Sequence, residues 1–347
     1  MQPINTALLS FGMSGQVFHA PFLKVHEGFN LYAVLERTKS VAQEKYPAVK
    51  TFRSLDDLLN DESIELVVVN TPSITHYEYA KICLQANKNV IVEKPFTPAV
   101  KEGEELISLA KQKNKLLSVY QNRRYDSDYK VVKKVVDEHL LGELIEAEFH
   151  YDRYNEQLSY KVHKETPTAG VGIVYDLGSH LIDQVLQLFG MPHSVFADID
   201  IIRPNSKVDD YFELLMFYNR FRARIHSSLL VREQLPAYIL HGTKGSFIKG
   251  KTDVQEVALQ SGKIPDAPDW GAEPNNEKGL LHTEKNGTIV REYISSFNGN
   301  YMEYYDGIYK ALRLQQQLPV TAEEGLNVIR IIAAAYESTH QMKVVKI

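Results

Sequence analysis

Lysine, histidine and carboxylates recur in this chain at spacings that could move a proton. Glu93-Lys94-Pro95 follows the apolar run Asn89–Val92, so Lys94 stands at a predicted strand end. There it could donate hydrogen bonds to a substrate oxygen or a cofactor amide, with Glu93 orienting it. A plain surface lysine is the alternative. Further on, the helical period puts Asp176, His180 and Asp183 at i, i+4 and i+7, and therefore on one face. A carboxylate beside an imidazole fixes the ring and stabilises its protonated form, which suits a general base for a hydroxyl proton. The same spacing also fits an N-capping Asp176 with a buried, satisfied His180, or a metal pair. A metal needs more ligands than this stretch supplies, and none is expected.

A third stretch, Ser10-Phe11-Gly12-Met13-Ser14-Gly15, reads as G-x-G-x-x-G with serine in the first glycine place. In such a turn the second glycine lets the backbone approach a pyrophosphate and the third permits close helix-to-strand packing. The helix that follows offers unpaired N–H groups to phosphate. Ser10 puts the tight first turn in question, and an ordinary strand-to-helix turn is the alternative. Glu36 lies 21 residues beyond Gly15, where a carboxylate can accept hydrogen bonds from an adenosine ribose. It would repel a 2′-phosphate, which leans to NAD; Arg37 and Lys39 could grip one, which keeps NADP open.

These residues need a frame. Apolar, β-branched runs at Thr6–Ser10, Asn30–Leu35, Leu66–Asn70, Asn89–Val92 and Leu116–Tyr120 alternate with helix-period segments, as in a parallel sheet wrapped by helices. Ser54 reads as an N-cap, and Thr97-Pro98 as an N-cap with proline in the first helical place of a helix running to Lys113. Beyond Tyr120 a helix is expected from Ser127 to His139. Strands then follow without intervening helices at Glu143–Tyr151, Val195–Ile202, Tyr211–Tyr218 and Ala223–Leu230, suggesting an antiparallel or mixed sheet. Ser261–Gly279 is Pro-, Gly-, Asp- and Asn-rich and reads as a surface excursion, and Thr321 with Glu324 forms a capping box. The expected fold is α/β: a doubly wound, dinucleotide-binding (Rossmann) sheet over residues 1–121, then an α+β domain over 122–347. The helix at 322–339 is expected to pack back on the first domain.

Composition restricts the partners. With 347 residues, 44% hydrophobic and 24% charged, the chain has room for two cores, and a net charge of −5 without long like-charge runs gives no footprint for nucleic acid or anionic membrane. No secretory leader or membrane-length apolar stretch is evident, so the cytoplasm is the expected compartment. The single cysteine, Cys83, shares an apolar helix face with Ala80 and Leu84 and reads as core.

Taken together, the glycine turn, Asn70-Thr71-Pro72 with His76, Glu93-Lys94-Pro95, Gln121-Asn122-Arg123-Arg124-Tyr125-Asp126, the Asp176/His180 stretch and Gly242-Thr243-Lys244-Gly245 resemble the Gfo/Idh/MocA family of nicotinamide-dependent oxidoreductases. Gly12–Leu23 is similar to the branch containing scyllo-inositol dehydrogenases. The resemblance covers nearly the whole chain. It implies that the second domain has a large open, mostly antiparallel sheet facing a partner subunit in a homodimer or homotetramer. It implies catalytic roles for Lys94, Asp176 and His180. Cofactor contacts are expected from Phe11, Gly12, Met13, Ser14, Gly15, Glu36, Arg37, Thr71, Pro72, His76, Glu93, Lys94 and Asn122. Substrate contacts are expected from Lys94, Arg123, Tyr154, His180 and Asp183. The expected activity is hydride transfer between NAD or NADP and a CH–OH group of a sugar, inositol or related polyol. An NAD-dependent glycosidase with recycled cofactor and a non-enzymatic dinucleotide sensor are the alternatives.

Overall fold

The computed structural model describes residues 2–347, which form two compact units. The first comprises the chain up to Asn122 together with Gln255–Trp270 and Asn300–Leu326; the second comprises Arg123–Val254, Gly271–Gly299 and Asn327–Ile347. Two segments from beyond residue 122 therefore build the first unit. The reason is aromatic: Tyr301, Tyr304, Tyr305 and Ile308 are fully buried, with the Tyr305 ring stacked on Phe22 at 5.9 Å. Gly28, whose backbone lies against the Tyr309 ring, closes the same contact. The first turn of the helix Ala322–Gln341 belongs here too, opened by the expected box in which Glu324 N–H donates to Thr321 Oγ1 at 3.1 Å and Thr321 N–H to Glu324 Oε2 at 2.8 Å.

The first unit's sheet has six parallel strands: β1 Ile4–Leu8, β2 Phe29–Leu35, β3 Lys50–Phe52, β4 Leu66–Val69, β5 Asn89–Glu93 and β6 Leu117–Tyr120, in the order β3-β2-β1-β4-β5-β6. Every residue of β4 and β6 is buried, as a strand covered on both faces requires. Cys83 is buried in the helix His76–Gln85, and burial pushes its thiol up to about 12. Ser54 caps its helix, accepting Asp57 N–H at 3.1 Å. The helix after Thr97 begins later than expected, at Val100 with Ala99 as N-cap, because Glu102 reaches back to Ala99 N–H at 3.1 Å.

The second unit's sheet has nine strands: β7 Leu144–His150, β8 Ser194–Asp200, β9 Tyr211–Phe217, β10 Arg222–Ser228, β11 Tyr238–Gly242, β12 Gly245–Lys249, β13 Gly279–Lys285, β14 Thr288–Ile294 and β15 Val345–Lys346. Their order is β14-β13-β12-β11-β7-β10-β9-β8-β15, and only the β7–β10 pair is parallel. One face is core, with Ala147, Phe149, Phe212, Leu214, Met216, Ile225 and Leu240 buried under the helices Ser127–Asp137 and Ser179–Phe189. On the other face, alternate positions such as Glu148, Leu215, Arg224, Ile239 and Ile248 are only half-buried, so the sheet is open on that side. β11 to β15 went unread in the sequence; Gly242-Thr243-Lys244-Gly245 is the β11–β12 turn, with Thr243 Oγ1 accepting Glu143 N–H at 3.1 Å.

Candidate active site

The sheet order reverses between β1 and β4, and open α/β sheets hold ligands beyond the strand ends at such a reversal. The chain leaves β1 and turns into helical backbone at Met13. The first helical bond runs from Gln16 N–H to Gly12 O at 3.0 Å, so the N–H groups of Met13, Ser14 and Gly15 are not consumed by the ladder. Gly12 and Met13 are exposed, and a Cβ on Gly12 would meet nothing nearer than Ser10 Oγ at 3.5 Å. Gly15 is different: its Cβ would lie 2.4 Å from Ser10 O, so only glycine lets the helix close on the strand end. Ser10 fits without a left-handed backbone. It donates its N–H to Asn70 Oδ1 at 3.0 Å, accepts Asn70 Nδ2 at 2.8 Å on its carbonyl, and accepts Gly12 N–H at 3.2 Å on Oγ. This open helix N-terminus fits a dinucleotide phosphate.

Beside it, Glu36 is buried and accepts Val41 N–H at 3.2 Å and Ala42 N–H at 3.0 Å, so its carboxylate caps the helix Val41–Lys45. Arg53 holds the Glu36 carbonyl at 2.7 Å. Arg37, Thr38 and Lys39 are exposed.

At the end of β5 the Glu93 carboxylate organises its neighbours. Oε1 accepts Ser14 Oγ at 2.5 Å and lies 2.9 Å from His19 Nε2, while Oε2 accepts Lys94 N–H at 3.1 Å. The other nitrogen of fully buried His19 is 2.6 Å from Tyr305 OH, and its ring packs on Tyr120 at 4.6 Å. Burial pushes the Glu93 carboxyl up, but the bonds from His19 and Ser14 outweigh it and hold the group below the usual glutamate range. His19 escaped the sequence reading; its signal is the Phe18-His19-Ala20-Pro21 run just after the glycine turn. Lys94 is half-buried. His76, expected near the cofactor, is fully buried as a strut, its nitrogens 2.8 Å from Pro95 O and 2.9 Å from Thr71 O. Burial holds it below the usual histidine range, so as a neutral ring it donates to one of those carbonyls. Thr71 Oγ1 pairs with Thr75 Oγ1 at 2.8 Å, Phe11 and Asn122 are buried, and Pro72 precedes a short helical turn at Ser73–Thr75.

In the second unit, Asp176 lies on the wide turn Val174–Gly178 and His180 and Asp183 on the helix Ser179–Phe189 that continues it. Asp209 holds the start of this segment: Val174 N–H donates to Oδ2 at 3.0 Å, Tyr336 OH to Oδ1 at 2.7 Å, and Ile173 N–H to its carbonyl at 2.9 Å. Burial raises the Asp209 carboxyl above its usual range. Gly172, at φ +112°, makes room for it: a Cβ there would lie 2.1 Å from Asp209 Oδ1. Asp176 is half-exposed and pairs with Lys164 Nζ at 2.9 Å, whereas His180 is buried.

Asp183 has both oxygens engaged. Arg124 donates Nε to Oδ2 at 2.8 Å and Nη2 to Oδ1 at 2.7 Å, both side chains being buried. That two-pronged pair anchors the helix rather than leaving a free acceptor. Buried Arg123 has its guanidinium 3.6 Å from Asp126 and 5.9 Å from the centre of the Tyr151 ring. Burial pushes the Asp126 carboxyl up to about 7 against the pull of Lys251 and Arg123. Tyr154 is exposed, with the Arg232 guanidinium 3.8 Å over its ring.

A six-stranded parallel sheet with an open helix N-terminus at its point of reversal defines a dinucleotide-binding enzyme domain. The family model for the NAD-binding Rossmann fold of the oxidoreductase family matches residues 4–121, and that for its C-terminal alpha/beta domain matches residues 133–347. The chain belongs to the Gfo/Idh/MocA oxidoreductase family and is an NAD(P)-dependent dehydrogenase. It is 40% identical over 342 residues to scyllo-inositol 2-dehydrogenase (NADP(+)) IolW of Bacillus subtilis, covering 99% of this chain and 95% of that protein. It is 35% identical to the uncharacterized oxidoreductase YdgJ of Escherichia coli, covering 96% of each. A crystal structure of an oxidoreductase from Bacillus cereus superposes with a TM-score of 0.91 at 32% identity, covering 99% of this chain and 98% of that one. Among the described residues, no helix is long and apolar enough to cross a membrane.

Proposed function

We propose that the enzyme transfers a hydride between NADP and a CH–OH carbon of an inositol, a sugar or a related polyol. The observation that carries the substrate class is near full-length similarity to a relative named for scyllo-inositol. Glu36 supports the cofactor choice: it spends its carboxylate on the backbone of residues 41 and 42 and leaves Arg37, Thr38 and Lys39 exposed for a 2′-phosphate. The cofactor, when bound, supplies the hydride chemistry. In the oxidation direction His180 accepts the hydroxyl proton and Asp176 steadies the resulting imidazolium. Lys94, its backbone fixed by Glu93, donates to the reacting oxygen and stabilises charge that develops on it. Arg123 and Tyr154 are assigned to substrate hydroxyls. Phe11 to Gly15, Arg37, Thr71, Pro72 and Asn122 are assigned to the cofactor, with Glu93 and His76 shaping the loops that hold it. Asp183 is assigned to holding the helix that carries His180.

The half-buried open face of the nine-stranded sheet, with Leu215, Phe217, Ile239 and Ile248 on it, supports self-association of the chain as a homodimer or homotetramer. The lone buried cysteine agrees with a reducing cytoplasm.

A substrate screen over inositols, aldoses and their keto forms, read at the nicotinamide absorbance with both cofactors, tests the reading. Net NADPH formation from a free polyol is expected. Lys94→Ala and His180→Ala should each lower kcat by about 10²- to 10⁴-fold, with NADP binding retained by fluorescence titration. Cleavage of glycosides without net reduction of cofactor, or unimpaired turnover in both variants, would overturn it.

A further inference from the structure

β7 and β10 end side by side, with His150 in register opposite His226. Asp152 follows β7 by two residues and turns its carboxylate between them. The three side chains offer one ligand atom each within 4.8 Å of one another. We propose that His150, Asp152 and His226 form a binding site for a transition-metal dication of the zinc class, independent of the oxidoreductase reading.

The hydrogen-bond pattern points to a cation. His150 is more than nine-tenths buried, and its Nε2 lies 3.1 Å from Glu148 Oε2. A neutral ring that donates there carries its lone pair on Nδ1. That Nδ1 is buried and has no hydrogen-bond partner among the described residues. What it faces is Asp152 Oδ2 at 3.7 Å, a distance too long for a hydrogen bond but one that a cation between the two atoms would fill. The other oxygen, Oδ1, is held by Ser228 N–H at 3.0 Å and lies 2.9 Å from His226 Nδ1, so Asp152 cannot turn away without losing both contacts.

Ligand atoms around a tetrahedral zinc at about 2.0–2.2 Å stand roughly 3.3–3.6 Å apart, close to the Nδ1–Oδ2 gap. Bringing in the third ligand takes about 1 Å of side-chain movement on the same geometry. Glu148 on the far nitrogen completes the carboxylate–histidine–metal arrangement that orients ligating imidazoles. Arg224 in turn holds Glu148 Oε1 at 3.0 Å. His226 is the least buried of the three, at 20% exposure of its side chain. Two imidazoles and one carboxylate are a donor set for zinc, cobalt or nickel rather than for magnesium or calcium.

The test uses the full chain stripped with chelator and titrated with Co²⁺ and Zn²⁺ alone, followed by dialysis, elemental analysis, the cobalt ligand-field spectrum and thermal melting. One metal per chain, a spectrum of low coordination number and a raised Tm are expected. His226→Gln should abolish retention. Glu148→Gln, which keeps every ligand, should weaken affinity by about 10- to 100-fold. Failure of the wild-type chain to retain metal would overturn the proposal, as would retention unchanged in both variants. Each readout is independent of turnover, so a failed substrate screen leaves this result standing.

Discussion

Gly172→Ala is the sharpest perturbation of the helix that carries His180. The new methyl would sit 2.1 Å from Asp209 Oδ1 on a backbone at φ +112°. Holding alanine in that region costs about 1–3 kcal/mol. Moving the Asp209 carboxylate endangers its bonds from Val174 N–H and Tyr336 OH, and loss of one such bond costs about 1.5–3 kcal/mol. The sum centres on about 4 kcal/mol, which for a unit of roughly 150–250 residues lowers Tm by about 8–16 °C. Because Asp209 holds the start of the segment bearing Asp176 and His180, misplacing that segment by about 1 Å should also reduce kcat by roughly 10²-fold. Calorimetry and steady-state kinetics on the variant measure both effects. The double variant with Asp209→Ala isolates the clash: removing the carboxylate should recover part of the loss, a coupling of about 1–3 kcal/mol. A variant melting within about 2 °C of wild type, equivalent to roughly 1 kcal/mol or less, or strictly additive losses, would refute the reasoning.

Three other outcomes are expected. Arg37→Ala should lower kcat/KM with NADP by roughly 10- to 150-fold, the equivalent of one charge-assisted bond, and leave kcat/KM with NAD almost unchanged. Glu93 is held below the usual glutamate range, so its contribution is fully present above that range and is lost as pH falls through the lowered value. Chemical denaturation of wild type should therefore weaken through the acid region, and Glu93→Gln should show a shallower acid dependence. Asp183→Asn leaves Arg124 buried without its charge partner and should destabilise the chain by about 3–5 kcal/mol in the same assay.

The parallel sheet was legible in the sequence because strands buried on both faces are continuous apolar runs; Leu66-Val67-Val68-Val69 could hardly be read otherwise. The Thr321/Glu324 box and the Ser54 cap were equally plain, since a cap is a local bond. β13 and β14 were not legible. Their sequences carry polar residues on a face open in this chain, and they pair through a register set by β12.

From the sequence, the glycine turn followed by Glu36 pointed to a dinucleotide, because phosphate binding restricts residue types directly, while the nicotinamide-dependent oxidoreductase class came from the family resemblance of the motifs together. Tertiary structure alone decided which polar groups remain available. Glu36 is drawn into a helix N-terminus, His76 between two carbonyls and Asp183 into the grip of Arg124. It also brought His19 to Glu93 across 74 residues, and His226 to Asp152 across the same separation. Buried donors and acceptors must find partners, and which partner is nearest depends on the folded chain rather than on spacing along it.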